Sequence, residues 1–126
     1  MVVKGLLYTK DHEWAKVEGD IATIGITDHA QEQLGELTFV ELPDAGKEVN
    51  QKGELAVVES SKAASDVYAP VTGMVSEVNT ELESRPELIN EDCYGDGWIC
   101  KMRITDKASI KNLMDAVQYE EYLKDL

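Results

Sequence analysis

The chain has 126 residues, of which 43% are hydrophobic and 29% are charged, a composition typical of one soluble globular domain with a modest core. Its 25 acidic and 12 basic residues give a net charge of −13. That charge disfavours binding to nucleic acid or to anionic membranes; it favours basic protein surfaces as partners, or simply keeps the protein soluble. No run approaches the roughly 20 apolar residues that span a bilayer, and the stretch MVVKGLLYTKDHEW resembles neither a signal peptide nor a transit peptide. We therefore expect a cytoplasmic protein, or a mature form that has already been processed.

The first predicted elements are two strands and a short helix. The stretch EWAKVEGDIATIGIT predicts a hairpin that turns at residues 18–20. The following stretch, TDHAQEQLG, predicts a helix with Thr27 or Asp28 as its N-cap and Gly35 as its end. One face of the second strand carries the apolar residues Ala22, Ile24 and Ile26.

The middle of the chain predicts further strands with turns between them. The runs ELTFVEL, ELAVVES, DVYAPV and MVSEV are typical of strands, and the stretches PDAG, NQKG and TG are typical of turns. The stretch SRPELIN predicts one or two helical turns with Pro86 near their start. The last predicted strand, GWICKMRI, places Trp98, Cys100, Met102 and Ile104 on its buried face.

Residues 107–126 predict a C-terminal helical segment in two pieces. The residues at helical spacing are Ile110, Leu113, Met114 and Val117, followed after a slight break by Tyr119, Tyr122, Leu123 and Leu126. We expect this apolar stripe to pack on the sheet, with a partner-binding helix as the alternative. Many short strands and few helices predict a mainly β fold, either a sandwich or a small barrel.

The cysteines and histidines give little sign of catalysis or of metal binding. Cys93 and Cys100 are too few and too widely spaced for a zinc site or a redox pair. We expect Cys93 to be a free thiol in a loop and Cys100 to have a structural role in its strand. His12 and His29 are far apart in the sequence and lack the helical pairing that suggests a shared metal ion.

One lysine stands out because all its neighbours are small. Lys62 lies in the stretch SSKAAS, with apolar, strand-like runs on both sides. The stretch itself would tolerate a helix, but the flanking β-branched residues favour two strands with a tight reversal. That interpretation gives a hairpin near residues 56–71 that projects Lys62 into solvent. The simplest role for such a residue is an ordinary exposed lysine in a turn.

Two functional interpretations compete with the simple one. A lysine that forms a Schiff base needs a lowered pKa, whereas the acids nearest in sequence, Glu59 and Asp66, favour the ammonium form and raise the pKa. A covalent attachment point needs only an exposed amine that the active site of another enzyme can enclose. Acylation there would tether a flexible arm that visits several active sites in turn. The small neighbours of Lys62 favour this attachment role.

The motif ESSKAASDVYAPVTG resembles the lipoyl-lysine motif of the H-protein family of the glycine cleavage system. The blocks YTKDHEW, ATIGITDHAQEQLGELTFVELP, NEDCYGDGW and YEEYL match the same family in the same order, so the resemblance covers nearly the whole chain. It implies a lipoyl-domain-like barrel-sandwich hybrid of short antiparallel strands with a few flanking helices, in a single domain over residues 1–126. It also implies a non-catalytic carrier with lipoic acid attached to Lys62.

The resemblance further implies a set of partner enzymes. The lipoyl arm would accept the aminomethyl group of glycine at the pyridoxal-phosphate decarboxylase, called P protein. It would present that group to the folate-dependent aminomethyltransferase, T protein, and be reoxidised by dihydrolipoamide dehydrogenase, L protein. A lipoylating enzyme is the fourth partner, and we expect the carrier itself to be a monomer.

Acidic residues are expected to hold the amine at the end of the loaded arm. By the resemblance, Glu13 in the HEW stretch and Asp66 after the lysine motif form this dock, with Asp11 nearby. Glu59 is expected to help the lipoylating enzyme recognise the hairpin. The alternative for Glu13, Asp66 and Asp11 is a solvated surface acid, and the alternative for Glu59 is an ordinary charge at a strand edge.

Three other roles remain open from the sequence. A biotinyl carrier shares the fold, but such domains usually flank the lysine with methionines, where this chain has Ser61 and Ala63. An unmodified domain of this fold would act as an interaction module. An H-like protein can also relay lipoate to other carriers.

Overall fold

The computed structural model describes residues 2–126, and over that range it contains nine strands, four α-helices and one 3₁₀ helix. The strands are β1 (Leu7–Tyr8), β2 (Glu13–Glu18), β3 (Ile21–Ile26), β4 (Leu37–Glu41), β5 (Glu48–Val49), β6 (Glu54–Ser60), β7 (Ala64–Tyr68), β8 (Thr72–Val78) and β9 (Cys100–Asp106). The helices are α1 (Asp28–Leu34), α2 (Glu81–Ser84), α3 (Leu88–Glu91), the 3₁₀ helix (Lys107–Asn112) and α4 (Ala116–Lys124).

The strands form two antiparallel sheets that share one core. The larger sheet has the order β1-β2-β3-β9-β8-β5, and the smaller has the order β4-β6-β7. The shared core includes Ala22, Ile24, Val75 and Met102 from the larger sheet and Val40, Val58 and Val67 from the smaller sheet. This arrangement confirms the mainly β, antiparallel fold with a few short helices and a C-terminal helix.

The first hairpin forms as the sequence predicted. Glu18 pairs with Ile21, which leaves Gly19 and Asp20 as the turn. Gly19 has a φ of +63°, a backbone conformation that glycine adopts without steric cost. The predicted apolar face of β3 is buried in the core.

The predicted alternation of ELTFVEL is interrupted in β4. The pairing register between β4 and β6 shifts between Leu37 and Phe39, which marks a bulge. As a result Leu37 and Val40 are both buried, whereas Phe39 is 52% exposed. The bulge therefore places an aromatic side chain in solvent that strict alternation would put on the same face as Leu37.

The predicted turn at TG was wrong, because Thr72 and Gly73 lie inside β8. Gly73 is needed there for close packing: a Cβ at this position would lie 2.1 Å from the backbone oxygen of Arg103 on β9. Residues 69–71 instead connect the two sheets, since β7 belongs to the smaller sheet and β8 to the larger one. Proline at residue 70 fits this connection, where no ladder hydrogen bond is required.

The predicted helix before β4 is α1. Thr27 is its N-cap, and the Thr27 hydroxyl accepts a hydrogen bond from the Ala30 N–H. Gly35 ends the helix with a φ of +82°. The sequence did not predict α2, a single turn that buries Leu82.

The C-terminal segment forms two helical pieces, as predicted. Between them Met114 pairs with Tyr8 of β1 through two backbone hydrogen bonds of 2.8 Å. The ring of Tyr119 on α4 then stacks on the ring of Tyr8, with 4.5 Å between the centroids. The predicted stripe is only partly buried, because Val117 is 68% exposed and Leu126 is 64% exposed.

Candidate functional site

Lys62 lies at the tip of the hairpin between β6 and β7. Residues 61–63 form the tip, and Ser60 braces it: the Ser60 N–H donates to the Ala63 carbonyl at 2.8 Å. The Ser60 hydroxyl oxygen also accepts the Ala63 N–H at 3.2 Å and the Lys62 N–H at 3.4 Å. A serine side chain thus satisfies backbone donors that the tight turn leaves without strand partners.

The side chain of Lys62 is exposed and has open surroundings. It extends past the end of α1, where the Cβ that Gly35 lacks would lie 3.3 Å from Lys62 Cε and 3.7 Å from Nζ. Over residues 2–126, no carboxylate forms an ion pair with Nζ. Such an amine is accessible to the active site of another enzyme. Because it is exposed, this amine lacks the burial that can activate a lysine for Schiff-base catalysis.

A pocket of about 300 Å³ lies at the far end of β7 from the tip. Its lining includes the acids Asp11 and Glu13, the lysines Lys10 and Lys52, and Tyr68, the last residue of β7. The five residues of β7 span about 13 Å at roughly 3.3 Å per residue, so a single strand connects the lysine tip to this pocket.

Glu13 is the buried acid of the pocket, with only 2% of its surface exposed. The Thr9 hydroxyl donates to Oε1 of Glu13, and the Tyr68 N–H donates to Oε2 at 3.1 Å. Burial raises the pKa of the Glu13 carboxyl from its ordinary value of 4.5 to about 7, although both hydrogen bonds act to lower it. The carboxyl therefore titrates near neutral pH, and its ionised form would attract a cationic guest in the pocket.

The two other predicted acids lie on the outer face of the smaller sheet. Asp66 pairs with Val57 across β6 and β7, and it is exposed. It does not line the pocket, but its charge raises the pKa of the Tyr68 hydroxyl two residues along β7. Glu59 pairs with Ala64, close to the tip. The structure therefore brings Asp11 and Glu13 together and leaves Asp66 between the tip and the pocket.

Sequence reasoning missed the two lysines of the pocket. Lys52 reaches it because the turn at residues 50–53 packs on the end of β7: the Lys52 N–H donates to the Ala69 carbonyl at 2.8 Å, and the Ala69 N–H donates to the Gly53 carbonyl at 2.8 Å. Lys10 lies beside Asp11 in the loop before β2. For Lys52, the sequence offered only the pattern NQKG, which predicts a turn but does not indicate which part of the fold the turn packs against.

The cysteines and histidines have structural contacts. Cys93 and Cys100 are both free and buried, and burial raises the pKa of each thiol to about 12. Thiols with such pKa values are poor nucleophiles near neutral pH. His12 lies 2.8 Å from the Tyr119 hydroxyl through Nδ1, and its ring is 4.4 Å from that of His29. Among residues 2–126, no three histidine, cysteine or acidic side chains are grouped so as to bind a metal ion.

The buried face predicted for β9 is correct from Cys100 onward. Cys100, Met102 and Ile104 are buried, whereas Trp98 lies before the strand and is only half-buried. There the Asn79 side chain donates to the Trp98 carbonyl at 2.8 Å.

Comparison with known sequences identifies the family of this fold and hairpin. The sequence model described as Glycine cleavage H-protein matches residues 6–126. The chain belongs to the glycine cleavage H-protein family. Among curated relatives, the glycine cleavage system H protein of Symbiobacterium thermophilum is 52% identical over 95% of this chain and 94% of its own length. That of Halothermothrix orenii is 48% identical over 99% of this chain and 98% of its own length.

A solved structure gives the same assignment. The crystal structure of a glycine cleavage system H protein from Mycobacterium marinum superposes with a TM-score of 0.87 and is 36% identical. The alignment covers 98% of each chain. The barrel-sandwich fold implied by the sequence is thus the fold of this H protein.

Membership in this family defines the general role of the chain. H proteins are carrier components of the glycine cleavage system rather than catalysts, and they carry lipoate. Within residues 2–126, no helix is both long enough and apolar enough to cross a membrane.

Proposed function

We propose that this H protein carries lipoic acid in amide linkage on Lys62 and shuttles the aminomethyl group of glycine between the enzymes of the glycine cleavage system. The observation that carries the proposal is the exposed amine of Lys62 at the braced tip between β6 and β7. Family membership supports it, since the chain matches H proteins over nearly all its length.

The surroundings of Lys62 fit an acylated lysine. Acylation by a lipoyl adenylate would form the amide bond at Nζ and release AMP and two of the three ammonium protons, so that the nitrogen keeps one N–H and loses its charge. Because no acid pairs with Nζ among residues 2–126, that loss of charge leaves no carboxylate without a partner. The glycine at residue 35 leaves room beside the stem of the side chain.

The attached group would supply chemistry that the chain itself lacks. When bound, lipoate would supply a disulfide whose reduction at P protein leaves one sulfur able to carry the aminomethyl group; its passage to folate at T protein, with release of ammonia, would leave a dithiol for L protein to reoxidise. The residues of the chain hold and position the arm. β6, β7 and Ser60 keep its base at a fixed point outside the core.

The pocket beyond β7 is the proposed dock for the end of the loaded arm. A primary amine is cationic near neutral pH, and the ionised carboxyl of Glu13 would bind it by a charge-assisted hydrogen bond. Asp11 adds negative charge in the same pocket, whereas Lys10 and Lys52 oppose binding of a cation. The ionised state of Glu13 therefore decides whether the pocket favours the amine. Asp66 lies along the route from the tip to the pocket.

Glu59 is the proposed recognition residue for the lipoylating enzyme. It lies on β6, opposite Ala64, on the strand that leads to Ser60 and the tip. A Glu59→Ala protein should be lipoylated more slowly than the wild type. Equal rates would remove Glu59 from this role.

Intact-mass analysis tests the attachment. Wild-type protein and a Lys62→Arg variant are produced together with a lipoate–protein ligase in cells supplied with lipoate. We expect one lipoyl group on the wild type, located at Lys62 by peptide fragmentation, and none on the variant. A biotinyl mass, or no added mass on the wild type, would contradict the proposal.

Reconstitution tests the shuttle. Lipoylated wild type is combined with P, T and L proteins, glycine, NAD⁺ and tetrahydrofolate, and the formation of methylene-tetrahydrofolate is followed. We expect turnover with the wild type and none with Lys62→Arg. A lipoylated wild type that supports no turnover but donates lipoate to other carriers would indicate the relay role instead.

A further inference from the structure

The outer face of the smaller sheet carries an exposed aromatic side chain beside the lysine tip. Phe39 is 52% exposed on β4 and pairs with Glu59 on β6, which pairs with Ala64 on β7. Opposed residues on antiparallel strands project from the same face, with Cβ atoms about 5 Å apart. The three residues thus form one row across the face, and its end at Ala64 lies two residues from Lys62.

Acidic residues surround this aromatic side chain. The next row is Glu41, Val57 and Asp66, and a shallow groove of about 70 Å³ beside it is also lined by Glu54 and Lys47. The Lys47 ammonium donates to the backbone oxygen of Glu54 at 3.5 Å. Over residues 2–126, the carboxylates of this face form no ion pair. An exposed phenylalanine in an excess of negative charge is complementary to a basic surface with an apolar recess.

The position of this face beside the tip favours one partner. P, T and L proteins act on the sulfur atoms at the far end of the lipoyl arm, whereas the acylating enzyme must place its reacting centre at Nζ itself. The acylating enzyme therefore contacts the residues next to the tip. A standard interface buries about 800 Å² on each partner, far more than a three-residue tip provides. Its contact must extend onto neighbouring strands.

We propose that the outer face of the smaller sheet is the docking surface for the enzyme that acylates Lys62, with Phe39 as its apolar anchor and with Glu41 and Asp66 binding basic side chains. The inference rests on the proposed lipoylation of Lys62 and extends the recognition role of Glu59 to a whole surface. Aromatic anchors in the centre of an interface contribute much of its binding energy.

Acylation kinetics with two variants test this surface. Unmodified wild type, Phe39→Ser and Glu41→Lys are incubated with a purified lipoate–protein ligase, ATP and lipoate, and initial rates are measured over a range of carrier concentrations. We expect KM for the carrier to rise about tenfold in each variant, while kcat changes by less than about twofold. Phe39→Leu should recover most of the wild-type KM, because it restores an apolar anchor.

Two matched variants control for loss of exposed apolar area and for charge reversal elsewhere. Val117→Ser removes a 68% exposed apolar side chain on α4, and Glu77→Lys reverses an exposed charge on β8. Both should keep the wild-type KM. Thermal unfolding of every variant establishes that it is folded, which is expected because the altered side chains are exposed.

The outcomes separate this inference from the proposed function. If the wild type is acylated and both Phe39→Ser and Glu41→Lys keep its KM, the docking surface is refuted. Normal acylation combined with slower glycine decarboxylation by P protein also refutes it and assigns the face to that partner. If the ligase cannot acylate the wild type at all, the proposed function fails instead.

Discussion

At the residue scale, ionisation of the Glu13 carboxyl makes the charge of the pocket depend on pH. Burial holds its pKa at about 7 in the folded chain, above the ordinary value of 4.5. The folded state therefore binds the proton more tightly than the unfolded state does. The free energy of unfolding falls as pH rises from about 4.5 to about 7, and this loss is complete above that range.

Replacing Glu13 by glutamine should remove this pH-dependent loss of unfolding free energy, because the amide does not ionise. The amide resembles the protonated carboxyl, since its oxygen accepts from the Tyr68 N–H and its nitrogen donates to the Thr9 hydroxyl oxygen. We expect Glu13→Gln to gain about 2 kcal/mol of unfolding free energy relative to the wild type when the pH is raised from about 5.5 to about 8. Urea unfolding at the two pH values measures the change. Glu18→Gln on the same strand is the exposed control, and a pH dependence equal to the wild type in Glu13→Gln would contradict the assignment.

The same substitution should have the opposite effect on the loaded arm. If the Glu13 carboxylate holds the amine, Glu13→Gln loses one charge-assisted hydrogen bond, and hydrolysis of the aminomethyl-loaded protein should be about tenfold faster at pH 8. Near pH 6 the difference should be smaller, because the wild-type carboxyl is largely protonated there. Release of ammonia and formaldehyde over time gives the half-life. Glu18→Gln serves as the control, and equal half-lives at pH 8 would remove Glu13 from the dock.

The sequence could identify some of these residues and not others. Lys62, Glu13 and Asp11 followed from local motifs and from the resemblance that those motifs carry. Lys52 enters the pocket only because a distant turn hydrogen-bonds to Ala69, and the raised pKa of Glu13 depends on burial by several elements. Neither property is encoded in a local pattern of residue types.

At the element scale, alternation predicted which segments are strands but not where they deform. β2 and β3 follow their apolar pattern closely. In β4, by contrast, a bulge exposes Phe39. Gly73, which led us to predict a turn, lies within strand β8. Glycine in a strand can mark either a turn or a close approach of two backbones. Only the partner strand distinguishes them, and at Gly73 that partner is β9.

Gly73→Ala should therefore be strongly destabilising. The added methyl group would overlap the Arg103 backbone, which cannot rotate away as a flexible side chain does. We expect a loss of about 3 kcal/mol in the free energy of unfolding, measured with urea. Gly19→Ala is the matched control: its Cβ meets open space, and only the positive φ opposes it, so about 1 kcal/mol is expected. Equal losses of unfolding free energy in the two variants would contradict this prediction, because they would show that the protein adjusts to the added methyl group at Gly73 without further cost.

At the scale of the whole molecule, the net charge of −13 should govern encounters with partner enzymes. Electrostatic attraction accelerates association and is screened by salt. We expect kcat/KM for acylation by the ligase to fall about tenfold between about 50 and 300 mM NaCl, mainly through KM. Hydrolysis of the loaded arm in the absence of partners should change little over the same range and is the control. A kcat/KM that is independent of salt would exclude steering by charge.

β7 has a further consequence for protein engineering. β7 begins two residues after Lys62, and at its other end the Tyr68 N–H donates to Oε2 of Glu13. The strand therefore fixes the distance between Lys62 and the pocket. Its length is locked by pairing with β6, and changing it by one residue would turn every later side chain to the opposite face. If the pocket beyond β7 holds the end of the loaded arm, as proposed, a chimera that received only the lysine loop would lack that pocket and would leave the loaded arm exposed to water.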